Sequence, residues 1–296
     1  MKVQANGLEI EVEDHGNPED PVLLLIMGFS GQLSLWPDAF VDELVGRGFR
    51  VIRYDNRDIG LSHKFDGVKA PHPLWHLFVK RIFKNRRMAP YSLVDMAADA
   101  MGVLDALEIE RAHVLGVSMG GMISQIVGAE YPDRVLSLMP VMTSTNAPGL
   151  PGPGKEIRKI LIQAARNRPE TEEEAIAAGM RFFNAIGSPG GEERQAEIKE
   201  LIHKSVTRSL YPEGPSRQLA AIIDTGNLRP FAQRVQARTL VIHGEADPLI
   251  LHPCGKDVAD HVEGARFELV DDMGHDLPEA KHGSLADLVA AHALGD

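Results

Sequence analysis

The sequence predicts an α/β protein, a mostly parallel sheet flanked by helices with a helical cap insertion late in the chain. Three observations carry that expectation. Short apolar runs alternate with stretches of helical period, the pattern of parallel strands joined by right-handed crossovers. One run, Val22-Leu23-Leu24-Leu25-Ile26, is apolar at every position, as in a strand buried on both faces. The alternation stops over residues 146–230 and then resumes, which reads as one sheet domain interrupted by helices.

Taken in order, Lys2-Val3-Gln4 and Leu8-Glu9-Ile10-Glu11-Val12 flank Asn6-Gly7, the strongest short hairpin signal. The apolar run at 22–26 follows. Residues 36–47 read as a helix closed by Gly48, and Arg50-Val51-Ile52-Arg53-Tyr54 as the next strand. An apolar stripe over 93–107 behind Ser92 is a helix with its N-cap. Then come a strand at 113–117, a helix at 119–130 and a strand at 135–142. The insertion opens on a Pro/Gly-rich stretch and holds helix-like segments, one starting at Thr171-Glu172-Glu173-Glu174 with capping-box spacing. After Pro230, strands at 239–242 and 266–270 alternate with helices at 253–261 and 285–294. The expected division is therefore a core of residues 1–145 and 231–296 and a helical cap, or lid, of residues 146–230.

Composition narrows the function. Lys and Arg number 31 against 42 Asp and Glu, a net charge of −11 that argues against nucleic acid as a partner. A lone Cys254 excludes a disulfide framework. The longest apolar run, residues 21–29, falls short of the roughly 18 residues of a spanning helix, so no transmembrane segment is expected. The start M-K-V-Q-A-N-G has no apolar leader, and the default expectation is a cytoplasmic protein.

Gly116-Val117-Ser118-Met119-Gly120 fits G-x-S-x-G where a buried strand hands over to a helix. Such a turn is so sharp that side chains at its two glycines would collide, and it holds the serine in a strained backbone. Met119 opens the helix with a free N–H at the positive end of the helix dipole, suited to a developing oxyanion. A serine hydroxyl needs a base, and the base an orienting acid. Of twelve histidines, His275 lies in a loop between a strand and the last helix, where it can reach the carboxyl edge of the sheet. His243, at the end of a strand, is its closest rival, followed by Gly244 and expected to line the loop. His113 opens a strand at the opposite edge, His203 sits in an insertion helix and His252 precedes a helix. His15, His63, His72, His76, His261, His282 and His292 read as solvated surface residues. Asp247, in H-G-E-A-D-P-L after another strand, is the candidate acid. Glu245 is its rival, while Asp271, Asp272 and Asp276 read as solvated loop charges beside His275. The order Ser118, Asp247, His275 is the Ser…Asp…His order of the α/β-hydrolases.

The chain resembles the α/β-hydrolase superfamily from Asn6 to near its C-terminus, and more closely its aclacinomycin methylesterase-like branch. The likeness rests on Ile26-Met27-Gly28-Phe29, on Tyr54-Asp55-Asn56-Arg57-Asp58-Ile59-Gly60-Leu61-Ser62, on Met96-Ala97-Ala98-Asp99-Ala100 and on the serine turn. It implies a Ser–His–Asp carboxylesterase or related hydrolase with a helical cap and no cofactor. The resemblance maps the nucleophile to Ser118, the acid to Asp247, the base to His275 and the oxyanion hole to the backbone N–H groups of Phe29 and Met119. Two positions depart from many relatives: Met27-Gly28 stands for His-Gly, and Asp58 stands for a glycine after Arg57. Neither removes a backbone donor.

The expected partner is a small-molecule ester of small to medium hydrophobic size, with a homodimer left open. C–C bond hydrolysis, thioester cleavage and perhydrolysis or haloperoxidation could use the same triad, and a binding protein on this scaffold is a further alternative. No metal is expected, since neither H-E-x-x-H nor paired cysteines occur. In the insertion, Met180, Phe182, Phe183 and Ile186 are expected to pack between cap helices. Residues 75–87 (W-H-L-F-V-K-R-I-F-K-N-R-R) form a basic segment in an acidic chain. The expected packing sets its apolar face on the core. The alternative is an interfacial helix touching anionic lipid or a partner subunit.

Overall fold

The computed structural model describes residues 1–83, 86–166 and 169–295, with residues 164–166 as backbone only. Residues 84–85 of the basic segment, 167–168 of the expected cap and 296 of the expected core lie outside the described residues. The strands are β1 (Lys2–Ala5), β2 (Leu8–His15), β3 (Val22–Ile26), β4 (Arg50–Tyr54), β5 (Ala112–Val117), β6 (Val135–Val141), β7 (Arg238–Gly244) and β8 (Arg266–Val270). They form one sheet in the order β1-β2-β4-β3-β5-β6-β7-β8, in which β1 pairs with β2 and β2 with β4 antiparallel and the other neighbours run parallel. The β1–β2 hairpin turns at Asn6 and Gly7, both with positive φ, as an Asn-Gly turn requires.

The helices are α1 (Asp38–Gly46), α2 (Pro73–Ile82), α3 (Leu93–Ala106), α4 (Met119–Glu130), α5 (Lys155–Arg166), α6 (Glu172–Ile186), α7 (Glu192–Arg208), α8 (Gly214–Thr225), α9 (Arg229–Ala232), α10 (His252–His261) and α11 (His282–Leu294). The run at β3 shows why these residues make a two-sided layer. Val22, Leu24 and Ile26 join the core under α3 and α4, while Leu23 and Leu25 join the core under α1 and α11. Period-two alternation thus feeds both faces, and every position must be apolar. Ser92 caps α3 by accepting from the Asp95 N–H, and the Asp95 carboxylate accepts the Ser92 N–H in return.

Two helix starts differ from expectation by two residues or more. A single helix over 36–47 is replaced by a 3₁₀ turn, Leu33–Leu35, followed by α1. Pro37 lacks an N–H and disfavours helical backbone at Trp36, so the helix starts after it. The last helix begins at His282, three residues early. Between β6 and β7 the described residues hold five helices, α5 to α9, and no strand.

Three histidines expected in solvent are buried instead. His76 donates Nε2–H to Asp224 Oδ1 at 2.8 Å, while His282 donates to Leu277 O at 3.0 Å and His292 to Arg238 O at 3.2 Å. Each sits on the inward face of a helix, where a polar ring is tolerated once one nitrogen finds a partner. His113 is buried in β5 against Ser137 Oγ at 2.8 Å. Burial pushes its pKa down to about 4, with Arg238 and His292 adding repulsion. An unfolded histidine takes its proton near 6.5, so between those values the unfolded chain binds more protons. That contribution to stability is complete above pH 6.5 and is lost as pH falls toward 4. We expect urea midpoints to fall between pH 7 and pH 4.5, and less steeply in His113→Gln. Equal slopes in the two proteins would remove His113 as a cause.

Candidate active site

The site lies at the carboxyl ends of β3, β5, β7 and β8. Ser118 follows β5 and has φ 56° and ψ −116°, a left-sided backbone that a side chain rarely adopts. Its glycine neighbours make the turn possible. A Cβ on Gly116 would overlap the Gly120 carbonyl group, and one on Gly120 would overlap the Ile26 carbonyl at the end of β3. The expected clash between the two glycine positions is thus a clash of each with backbone. Ser118 N–H donates to Val141 O at 2.9 Å, and Thr143 Oγ1 donates to Ser118 O at 2.7 Å, so the turn is held from β6 as well.

The loop after β3 crosses the serine. A Cβ on Gly28 would stand 3.1 Å from Ser118 Cβ, which is why glycine fits here. Phe29 follows, and among the described residues neither its N–H nor that of Met119 has a hydrogen-bond partner. Ser30, with φ 62°, donates its N–H to Gln218 Oε1 on α8 at 2.9 Å, and Gln218 Nε2 donates to Arg57 O at 3.0 Å. One glutamine therefore ties this loop to the loop after β4.

Asp247, in the loop after β7, is buried and accepts from three directions. Oδ1 takes the N–H groups of Leu249 and Ile250, each at 2.9 Å, and Oδ2 takes His275 Nδ1–H at 2.7 Å. Burial alone would raise its pKa. The charge and hydrogen bond of His275, the nearby His243 ring and the Ile250 N–H outweigh it, and the carboxyl is held well below the usual range. His243 is buried, gives Nε2–H to Ile250 O at 2.7 Å and braces the loop that carries Asp247. Glu245, the rival acid, is exposed. Among the described residues the Ser118 hydroxyl and His275 Nε2 share no hydrogen bond. No group of His, Cys, Asp and Glu side chains suited to a metal ion occurs among the described residues.

Asp276, expected as a solvated loop charge, is buried. Its Oδ1 accepts Ser188 N–H at 2.9 Å and Ser188 Oγ–H at 2.5 Å, and its Oδ2 pairs with Arg194 of α7. Gly274 N–H donates to Ser188 Oγ at 2.8 Å, and His275 N–H to Ile186 O at 2.8 Å. The chain between α6 and α7 is thereby stitched to the His275 loop on both sides of the imidazole. Asp271 and Asp272 are exposed, as expected. Within α6, Ile186 is buried, Phe182 and Phe183 meet edge to face at 5.8 Å, and Gly179 packs on Ile202 of α7. Of these, the Gly179–Ile202 contact joins two helices, and the Phe182–Phe183 pair lies within α6.

The motif at 55–62 makes the other seam. Asp58, which follows Arg57, has φ 69° and a fully buried carboxylate. It accepts Arg217 Nε at 2.8 Å and Nη2 at 2.7 Å, and Tyr91 Oη at 2.6 Å. Asp55 accepts Arg208 Nη1 at 2.7 Å and the Leu33 N–H at 2.7 Å. Sequence reading missed Ser188, Arg194, Arg208 and Arg217. The only available signal was arginine at three positions of otherwise amphipathic helices.

Comparison with known proteins agrees with this fold. The family model for the alpha/beta hydrolase fold matches residues 21–185, more than half of the chain. A rhodomycin D methylesterase from Streptomyces sp. (strain C5) is 29% identical over 95% of this chain and 93% of its own. The enol-lactonase structure from Burkholderia xenovorans LB400 superposes with a TM-score of 0.76 at 23% identity, covering 99% of this chain and all of that one. A hydrolase structure from Pseudomonas aeruginosa PA01 gives a TM-score of 0.72 at 26% identity, over 98% of this chain and 97% of that one.

Proposed function

The chain belongs to the α/β-hydrolase fold family, and from that premise we propose that it is a serine esterase cleaving small to medium hydrophobic carboxylic esters. Ser118 is the nucleophile, His275 the base, Asp247 the acid, and the Phe29 and Met119 N–H groups the oxyanion hole. The observation that carries this reading is the 2.7 Å bond from His275 Nδ1 to a buried, ionised Asp247 at the same sheet edge as the strained Ser118. With Nδ1–H committed to the carboxylate, Nε2 keeps its lone pair free to accept the hydroxyl proton.

The steps follow. Ser118 Oγ gives its proton to His275 Nε2 and bonds to the ester carbonyl carbon, and the carbonyl oxygen takes the charge between the two N–H groups. The C–O bond to the alcohol breaks as His275 returns the proton to the leaving oxygen. Water, deprotonated by the same imidazole, attacks the acyl-enzyme, and collapse of the second intermediate restores Ser118 and frees the acid. Residues 146–230 act as the cap, tied to the core by Arg194, Arg208 and Arg217. The methylesterase among its relatives supports ester chemistry over C–C cleavage.

The test is a panel of p-nitrophenyl esters from acetate to decanoate, run beside thioesters and vinylogous diketones. Each buried methylene is worth about 0.8 kcal/mol, so two should raise kcat/KM roughly tenfold until the pocket is full. Turnover of the diketones alone would overturn the esterase reading, and a flat acyl profile would remove the apolar pocket.

A further inference from the structure

Half of the large hydrophobic side chains exposed among the described residues fall within ten positions: Leu74, Trp75, Leu77, Phe78, Ile82 and Phe83, each more than half exposed. All but the last lie on α2. At 100° per residue, Leu77, Arg81, Leu74, Phe78, Ile82 and Trp75 follow one another around one side of that helix. His76, Val79 and Lys80 take the opposite side, where His76 and Val79 are buried. The expected packing is therefore inverted. The polar residues face the protein because Asp224 of α8 claims them, holding His76 Nε2 at 2.8 Å while its carbonyl accepts Lys80 Nζ at 2.9 Å. Asp224 also accepts the N–H groups of Met88 and Ala89, which pins the chain beyond the helix. The apolar arc is left outside, with Trp75 and Phe78 stacked at 5.6 Å.

An arc of this size reaches several hundred Å², about the upper limit of what soluble monomers leave uncovered. Its charge says what covers it. Residues 75–87 hold five Lys and Arg and no carboxylate in a chain of net charge −11. Arg81, Arg86 and Arg87 are exposed and make no ion pair among the described residues. A second copy docking by two-fold symmetry would set one cationic cluster against the other. A surface that is apolar below and anionic above satisfies both features. No described helix is long and apolar enough to cross a membrane, so α2 would lie in the plane of one.

We propose that the outward face of α2 is a docking surface for a bilayer rich in anionic lipid, with Trp75, Phe78 and Ile82 among the acyl chains and Arg81, Arg86 and Arg87 at the headgroups. The same helix packs on α8, whose Arg217 and Gln218 hold the loops beside Ser118. Docking therefore sets the cap side of the molecule toward the lipid.

The whole chain supplies its own probe. Its tryptophans are Trp36 and Trp75, the first fully buried and the second 57% exposed, so a change in emission on binding reports Trp75. With vesicles of equal parts phosphatidylcholine and phosphatidylglycerol we expect co-sedimentation and a blue shift, both weakened by salt and small with phosphatidylcholine alone. Arg81→Gln with Arg86→Gln should weaken partitioning on the order of thirty-fold, at about 1 kcal/mol per cation. The triple variant Trp75→Ser, Phe78→Ser, Ile82→Ser should abolish it. Both variants should hydrolyse a soluble acetate ester as the parent does, and vesicle binding is readable whatever the chemistry of the site. The proposal fails if the parent ignores anionic vesicles or if the triple variant binds as the parent does. It also fails if the parent sediments as a dimer that the triple variant makes monomeric, which would assign the face to a second copy.

Discussion

Ser118→Ala should lose turnover by roughly 10⁴-fold or more, and His275→Ala by a similar factor, with the double variant little worse than either. Nucleophile and base act as one unit. Without the hydroxyl there is no proton for His275 to take, and without the imidazole the hydroxyl is a poor nucleophile. Folding should survive both changes. Ser118 is only part-buried, and the turn is held by its backbone N–H and carbonyl to β6 and Thr143 rather than by its hydroxyl. Alanine at φ 56° is strained, but so is the serine it replaces. Steady-state hydrolysis of a p-nitrophenyl ester, with a fluorophosphonate label mapped to its peptide, is the measurement. Parental activity in Ser118→Ala, or label on another residue, would move the nucleophile elsewhere.

Asp247→Asn should cost on the order of 10⁴ in kcat while leaving KM and the fold nearly unchanged. The asparagine carbonyl can keep the Leu249 and Ile250 N–H groups that Oδ1 now accepts. Its NH₂ then faces His275 Nδ1 in place of Oδ2. Two donors cannot meet, so the imidazole moves its proton to Nε2, where it can no longer accept from Ser118. Glu245→Gln, at an exposed position, should change kcat little. The reverse ranking of the two variants would transfer the acid to Glu245.

Much of this molecule was legible because its signals are local. The five-residue apolar run of β3, the Asn-Gly hairpin and the Ser92 cap each depend on neighbours a few residues away, and each forms where the spacing puts it. The serine turn was legible for the same reason, since only glycine fits where Gly116 and Gly120 meet backbone. Three of the histidines were not. His76 and His292 carry no mark of burial because their partners lie 148 and 54 residues away, and His282 is covered by Phe40 of α1, far along the chain.

The sequence by itself determined the alternation of strands and helices, the helical character of the insertion, and which reactive side chains follow which strands. Periodicity and backbone sterics encode these over a single turn or strand. Only the tertiary structure decided how the insertion is fastened. Asp276 meets Ser188 and Arg194 across 88 and 82 residues, and Asp58 meets Arg217 across 159. It also turned α2 inside out, with Asp224, far along the chain, holding His76 and Lys80 toward the protein. A buried charge must be paired wherever its partner lies in the chain. That requirement acts through space, and no local period in the sequence records it.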